Sequence, residues 1–191
     1  MIETARLQLI PVRLEHFAAF EQGGEAELSK SLNVRPADGW LVFPEAMSFS
    51  HRILQSDPTA LGWWMYFFID KATNTLIGNG GLKGAPGADG MVEIGYALAP
   101  SARGKGLATE AARGLTEFAF SFPAVKIVQA HTLAETNASN CLLQKIGMKF
   151  VSVINDPEDG EIWQWRVTRE EYQEIIKAMR SQFVTGFIEI K

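Results

Sequence analysis

The stretch Leu98-Ala99-Pro100-Ser101-Ala102-Arg103-Gly104-Lys105-Gly106-Leu107-Ala108-Thr109-Glu110 decides how this chain is read. An apolar strand stops at Pro100, a short loop carries two glycines, and a helical stripe starts at Leu107. Glycines let the backbone curl around an anion, and unpaired N–H groups at a helix start point at it. Arg103 and Lys105 add positive charge beside the same spot. The segment is built as a pyrophosphate cradle. It has neither the Gly-Lys-Ser/Thr of a nucleotide P-loop nor the three-glycine spacing of a dinucleotide fingerprint. Taken alone, it also reads as a glycine-rich turn with incidental basic side chains.

Working outward, Met91 to Ala99 is the strand that feeds the loop, and Leu107 to Phe122 carries one apolar stripe through Leu107, Ala111, Leu115, Phe118 and Phe122. Upstream, Arg6 to Ile10 alternates as a strand, Val12 to Gln22 reads as a short helix, and a second helix follows Pro44 to about Ser56. Residues 23 to 43 are ambiguous. Trp63 to Asp70 and Thr75 to Gly80 read as a hairpin around Lys71-Ala72-Thr73-Asn74. Downstream come a strand over Val125 to Leu133 and a helix over Ser139 to Ile146 closed by Gly147. Strands over Met148 to Ile154 and Glu161 to Val167 follow, then a helix opened by the capping box Thr168/Glu171 and running to about Met179. Phe183 to Ile190 could add a strand. The order is that of a mixed α/β sheet in one domain spanning residues 1–191.

Composition narrows the function. Hydrophobic residues make up 47% and charged residues 21% of 191 residues, ordinary for a globular chain. Lys and Arg number 18 against 22 Asp and Glu, which lacks the basic field of a nucleic-acid binder. The single cysteine forms no intrachain disulfide, and no apolar run is long enough to span a bilayer, so the expected setting is cytoplasmic, without membrane or nucleic-acid partners.

The order Arg103-x-x-Gly106-x-Ala108, directly after a strand ending Leu98-x-Pro100, resembles the coenzyme A signature of the GNAT superfamily of N-acetyltransferases. Glu93-Ile94-Gly95-Tyr96-Ala97-Leu98 looks like that family's fourth strand, and Ala130 to Ser139 like its fifth strand and following loop. Leu142 to Met148 looks like the helix end before its sixth strand, and Thr4-Ala5-Arg6-Leu7-Gln8-Leu9 like the opening of the RimJ/RimL-type branch. The resemblance implies a largely antiparallel sheet flanked by helices, with the fourth and fifth strands splayed to admit acetyl-CoA.

It also implies roles, residue by residue. Arg103, Gly104, Lys105, Gly106, Leu107, Ala108 and Thr109 would hold the pyrophosphate, Ala97 and Leu98 would pair through their backbones with pantetheine, and Asn137 would bond that arm. No metal is implied. Glu93 is the candidate base, directly or through water, or else a plain strand-end carboxylate, and Ser139 is the candidate to stabilise or protonate the departing thiolate. Members of the superfamily often carry a tyrosine acid in the helix after the fifth strand; here Leu142, Leu143 and Gln144 stand there, so none is expected. The Asn137-to-Ser139 spacing is also one residue shorter than in much of the RimJ/RimL branch. The implied activity is acetyl transfer to a primary amine, a peptide N-terminus or else a small-molecule amine such as a polyamine, amino acid or aminoglycoside. A non-catalytic coenzyme A-binding module is the rival from another class. The oligomeric state is open between monomer and homodimer.

The other polar and aromatic residues take plainer readings. His131 alternates with Ile127, Gln129 and Leu133 and reads as a sheet histidine, and Cys141 as a core thiol without an activating partner. Trp63, Trp64, Phe67 and Phe68 read as core, Trp40 as the aromatic that lines a pocket, and Glu158-Asp159 as a solvated turn.

Overall fold

In the computed structural model, which describes residues 1–186 with side chains through Met179, the apolar run from Met65 to Ile69 is a buried strand of the sheet. The elements in order are β1 (Ile2–Glu3), β2 (Leu7–Pro11), α1 (Leu14–Leu32), β3 (Arg35–Pro36), α2 (Pro44–Ser56), β4 (Met65–Asp70), β5 (Thr75–Leu82) and β6 (Met91–Leu98). They continue as α3 (Leu107–Phe120), β7 (Ile127–Leu133), α4 (Ala138–Lys145), β8 (Lys149–Asp156), β9 (Gly160–Thr168) and α5 (Arg169–Gly186). The sheet runs β1-β2-β4-β5-β6-β7-β9-β8, with β3 set parallel on β5. Every pairing along that path is antiparallel except β6 with β7. The expected mixed, largely antiparallel architecture is the one observed.

β4 is apolar along its length because both of its faces are covered. Tyr66 and Phe68 pack with Ala111 and Leu115 of α3, while Met65, Phe67 and Ile69 pack with Phe17 and Leu28 of α1 and Met47 of α2. The next strand is sterically thin. A Cβ at Gly78 would stand 2.2 Å from the Ala97 carbonyl oxygen, and one at Gly80 would stand 2.3 Å from that of Gly95. Only glycine lets β6 lie this close across β5.

The pairing of β6 with β7 is short. Met91 faces Ile127, Val92 faces Val128 and Glu93 faces Gln129, after which the two strands part. From Ile94 to Leu98, β6 pairs with β5 alone. A gap therefore opens in the middle of the sheet, at the pair expected to splay.

Several readings change. The first helix does not stop near Gln22 but resumes to Leu32 after a break at Gly23 and Gly24, whose backbones leave helical geometry. Trp40 does not line a pocket: it is fully buried, with its ring set edgewise 5.5 Å from Phe67. Cys141 is exposed on α4 rather than in the core, because the α4 residues that turn inward are Asn140, Leu142 and Leu143. The last helix runs on to Gly186, so Phe183 is helical; the remainder of the tail proposed as a strand, from residue 187, lies outside the described residues. No helix among the described residues is long and apolar enough to cross a membrane.

Candidate functional site

The loop before α3 adopts the geometry of an anion cradle. Gly104 and Gly106 have φ of +72° and +76°, values that favour glycine, and Gly106 is the N-cap of α3. The first return bond of the helix is from Glu110 N to Gly106 O at 3.1 Å, so the amides of Leu107, Ala108 and Thr109 precede the intrahelical ladder. A Cβ on Gly104 would find nothing within 4 Å, so the space beside this residue is open. These residues fit a bound pyrophosphate.

The two basic side chains predicted beside the cradle are folded onto it. Arg103 Nε donates to the Leu98 carbonyl at 3.0 Å, and Lys105 Nζ donates to the Ser101 carbonyl at 2.7 Å. A third cation, which the sequence analysis placed only in an opening motif, joins them. Arg6 donates through Nη1 to the Lys105 carbonyl at 2.9 Å and through Nε to Glu110 Oε2 at 2.6 Å. Glu110 Oε1 also accepts from the Thr4 hydroxyl and the Arg6 amide, each at 2.6 Å. Burial pushes the Glu110 carboxyl up, but Thr4 and Arg6 outweigh it and hold it below its ordinary value. The start of the chain thus clamps the cradle to the first turn of α3.

A cleft of about 900 Å³ passes through the gap between β6 and β7. Strand alternation decides which groups line each mouth. Tyr96 lies opposite Gly80 and packs with the α3-facing core, on the side where α4 begins. Glu93, Gly95 and Ala97 take the opposite face, where Lys83, Trp64 and Phe49 also line the cleft. Gly95 is paired with Gly81 and a Cβ there would meet nothing within 4 Å, so the floor of this mouth is bare backbone.

On the α4 side, the Tyr96 hydroxyl lies near the Ser139 side chain, which favours its ionised form. Burial pushes the Tyr96 phenol up to about 12, partly offset by Ser139. Asn137 lines the same mouth, but its side-chain oxygen caps α4, accepting from Ser139 N at 2.9 Å and Asn140 N at 3.1 Å. Its amide nitrogen is what remains for a ligand. Behind it, Asn140 donates to Thr132 Oγ1 at 3.2 Å and Trp165 donates to the same oxygen at 3.0 Å, fixing the start of α4 against β7 and β9.

On the opposite side, Glu93 is the hub of a polar cluster. It pairs with Lys83, with His131 Nδ1 at 3.1 Å, and accepts from Gln129 Nε2 at 3.1 Å. Burial pushes its carboxyl up, but Lys83 and His131 overcome that and the net displacement is downward. Glu93 is therefore ionised and well satisfied, which weakens it as a direct base. Nearby, Asn79 is 5% exposed and lines the cleft, and its Oδ1 has no hydrogen-bond partner.

Of the predicted site residues, Glu93, Ala97, Asn137 and Ser139 line one cleft; the 103–109 loop follows β6 in the chain and is not among its lining residues. Leu98 turns its side chain into the core. Sequence reading missed Tyr96, although it was quoted inside the strand motif, and it set His131 aside. Period-two alternation from Glu93 gives the face of each, but the parting of the strands that exposes them is a tertiary fact.

The sequence profile of the acetyltransferase (GNAT) domain family matches residues 6–149. The chain is 30% identical over 150 residues, 77% of its length and 88% of the relative's, to the uncharacterized N-acetyltransferase YjdG of Bacillus subtilis (strain 168). Among solved structures it is similar to the spermidine/spermine N-acetyltransferase SpeG of Vibrio cholerae in mutant form, at 15% identity over 90% of this chain and 98% of that one, with a TM-score of 0.64. It is also similar to RimL, a ribosomal L7/L12 alpha-N-protein acetyltransferase in complex with coenzyme A, at 14% identity over 86% and 95%, with a TM-score of 0.61. These two structural likenesses concern the fold.

Proposed function

The chain belongs to the GNAT acetyltransferase family, and from that premise we propose that it transfers the acetyl group of acetyl-CoA directly to a primary amine, the two reactants meeting in the gap between β6 and β7. The observation that carries this is the cleft itself, which joins the cradle side of the sheet to a second mouth lined by Glu93 and His131. In this reading the 103–109 loop holds the pyrophosphate, and the unpaired edge of β6 at Ala97 and Leu98 receives the pantetheine arm as an added strand would be received. Asn137 bonds that arm through its amide nitrogen. Acetyl-CoA supplies the activated acyl group.

Ser139, backed by Tyr96, protonates or stabilises the departing thiolate, and Glu93 organises the mouth where the amine arrives. Proximity supplies most of the rate, up to effective molarities on the order of 10⁵ M or more. One domain in a cytoplasmic setting accords with the single sheet path and the single cysteine. The RimJ/RimL branch, with a peptide N-terminus as acceptor, is supported by the Thr4–Leu9 opening and the RimL-like fold; the SpeG-like fold supports a polyamine equally.

A panel assay following thiol release from acetyl-CoA tests the reading, with spermidine and short peptides bearing free N-termini as acceptors. Turnover of one arm assigns the acceptor class. Tight acetyl-CoA binding with no turnover of any amine would favour the non-catalytic module.

A further inference from the structure

We propose that His131 takes the proton from the incoming amine, with Glu93 holding its ring in the tautomer that allows it. The proposal rests on the acetyltransferase reading for its substrate, but its electrostatic basis can be tested without one. His131 stands on β7, lines the cleft and is four-fifths buried in its side chain.

The tautomer follows from a chain of hydrogen bonds anchored at both ends by groups with one possible role. Glu93, ionised, only accepts, and the Arg166 guanidinium only donates. Gln129 lies between them, so its amide nitrogen must face Glu93 Oε2, at 3.1 Å, and its oxygen must face Arg166 Nε, at 3.2 Å. That oxygen also receives Gln164 Nε2 at 3.2 Å, while Gln164 Oε1 accepts from the Ser152 hydroxyl at 3.3 Å. The orientation of Gln164 is thereby fixed too. Its amide nitrogen is then the group 3.4 Å from His131 Nε2. A donor against Nε2 calls for a lone pair there, so the ring proton lies on Nδ1, which stands 3.1 Å from Glu93 Oε1.

The result is an imidazole whose Nδ1 is paired with a carboxylate and whose Nε2 carries the lone pair, the arrangement a general base needs. At 3.4 Å the Gln164 contact is long, and in this proposal the ammonium displaces it. Lys83, on the loop after β5, and Asp156, at the end of β8, complete the charged groups around the pair.

An alkylammonium, with its nitrogen protonated at neutral pH, must lose one proton before it can attack. That proton passes to His131 Nε2 and then to solvent. The freed nitrogen lone pair forms the bond to the thioester carbonyl carbon, and the C–S pair leaves with sulfur. The second proton shed by nitrogen balances the thiolate, giving amide, free thiol and one proton released. His131 contacts the substrate in this step; Glu93 acts through His131 and is a positioning residue.

Two measurements test this. In protein labelled with ¹⁵N-histidine, the neutral ring of His131 should show a protonated Nδ1 in the wild type and a loss of that preference in Glu93→Gln; a protonated Nε2 in the wild type would overturn the proposal. With acetyl-CoA and whichever of spermidine or a free-N-terminus peptide is acetylated, His131→Ala should lower kcat by about 100-fold or more, within the usual worth of a positioned base. Its affinity for acetyl-CoA should stay within twofold, and added imidazole should restore at least tenfold of the loss. Retention of most activity, or no rescue while acetyl-CoA still binds, would defeat it. Failure of every amine with wild-type protein would overturn the acetyltransferase reading, while the tautomer would still decide the role of Glu93 and His131.

Discussion

The hydroxyl of Tyr96, on β6, approaches the side chain of Ser139, in the first turn of α4, and both residues line the cleft. The two elements are opposite walls of the gap, so the pair flanks the place where a thioester would lie. The helix after β7 has no tyrosine, as the sequence shows, but a phenol reaches that helix from the facing strand. At about 12, the phenol stays protonated through the neutral range and has a proton to give.

Replacing Tyr96 by Phe should therefore lower kcat by about 10²-fold, the low end for a positioned acid, with acetyl-CoA affinity little changed. Ser139→Ala should act in the same direction, and the double variant should cost less than the product of the two. Additive losses in a double-mutant cycle would mean that the two hydroxyls do not act as one unit.

Gly95 and Gly80 make opposite predictions although they lie on adjacent strands. A methyl at Gly95 enters open space, so Gly95→Ala should leave the melting temperature unchanged or raised, while raising KM for the acceptor several-fold. A methyl at Gly80 strikes the Gly95 carbonyl and the Phe68 ring, so Gly80→Ala should destabilise by roughly 3 kcal/mol or more. Thermal unfolding and acceptor kinetics on both variants separate the cleft from the sheet.

Gly106→Val should reduce acetyl-CoA affinity at least tenfold by calorimetry. Its φ of +76° disfavours a β-branched residue, and the added Cβ would stand 3.5 Å from Arg6 Nη2, within the clamp. Arg6→Ala should weaken the same binding without placing any new atom in the loop. Unchanged affinity in both would remove the cradle from its assigned role.

The clamp also carries a pH signature. Glu110 in the fold titrates below its ordinary value of 4.5, so the unfolded chain binds the proton first as pH falls. The stability it contributes is fully present above that value and is lost as pH drops through the folded one. Glu110→Gln should accordingly be less stable than wild type at pH 7, with the gap narrowing below pH 4.5. A gap that stays constant across that range, followed by chemical denaturation, would contradict the assignment.

Cys141 faces solvent on α4 and does not line the cleft, so Cys141→Ala should keep nearly full activity. Enzyme incubated with acetyl-CoA alone should show no acetyl adduct at Cys141 by mass spectrometry; an adduct that passes to the amine would establish a covalent route.

Much of this was legible in the sequence because the signals are local. Pro100, two glycines and an immediate helical stripe announce the cradle; Pro44 marks the start of α2; Thr168 and Glu171 form the capping box they spell, with bonds of 2.9 and 3.2 Å. What escaped depends on distant contact. Arg6 meets Lys105 and Glu110 across about a hundred positions of chain, and no periodicity encodes that. Trp40 looked like a pocket residue because its surroundings had no pattern, yet it fills the core under Phe67. His131 alternates as any sheet histidine does; only the parting of its strand from β6 leaves it lining a cleft.

That parting also sets a depth stop. The ladder between β6 and β7 ends at the rung Glu93–Gln129, and everything beyond it toward Leu98 and Leu133 is a notch open at one end. A molecule reaching across both faces of the sheet can slide in sideways and needs no threading, and it halts where the rungs begin. One rung gained or lost would move that limit by about 3.3 Å along the strands, more than two bond lengths, and would shift the reacting centre away from Tyr96 and Glu93 together.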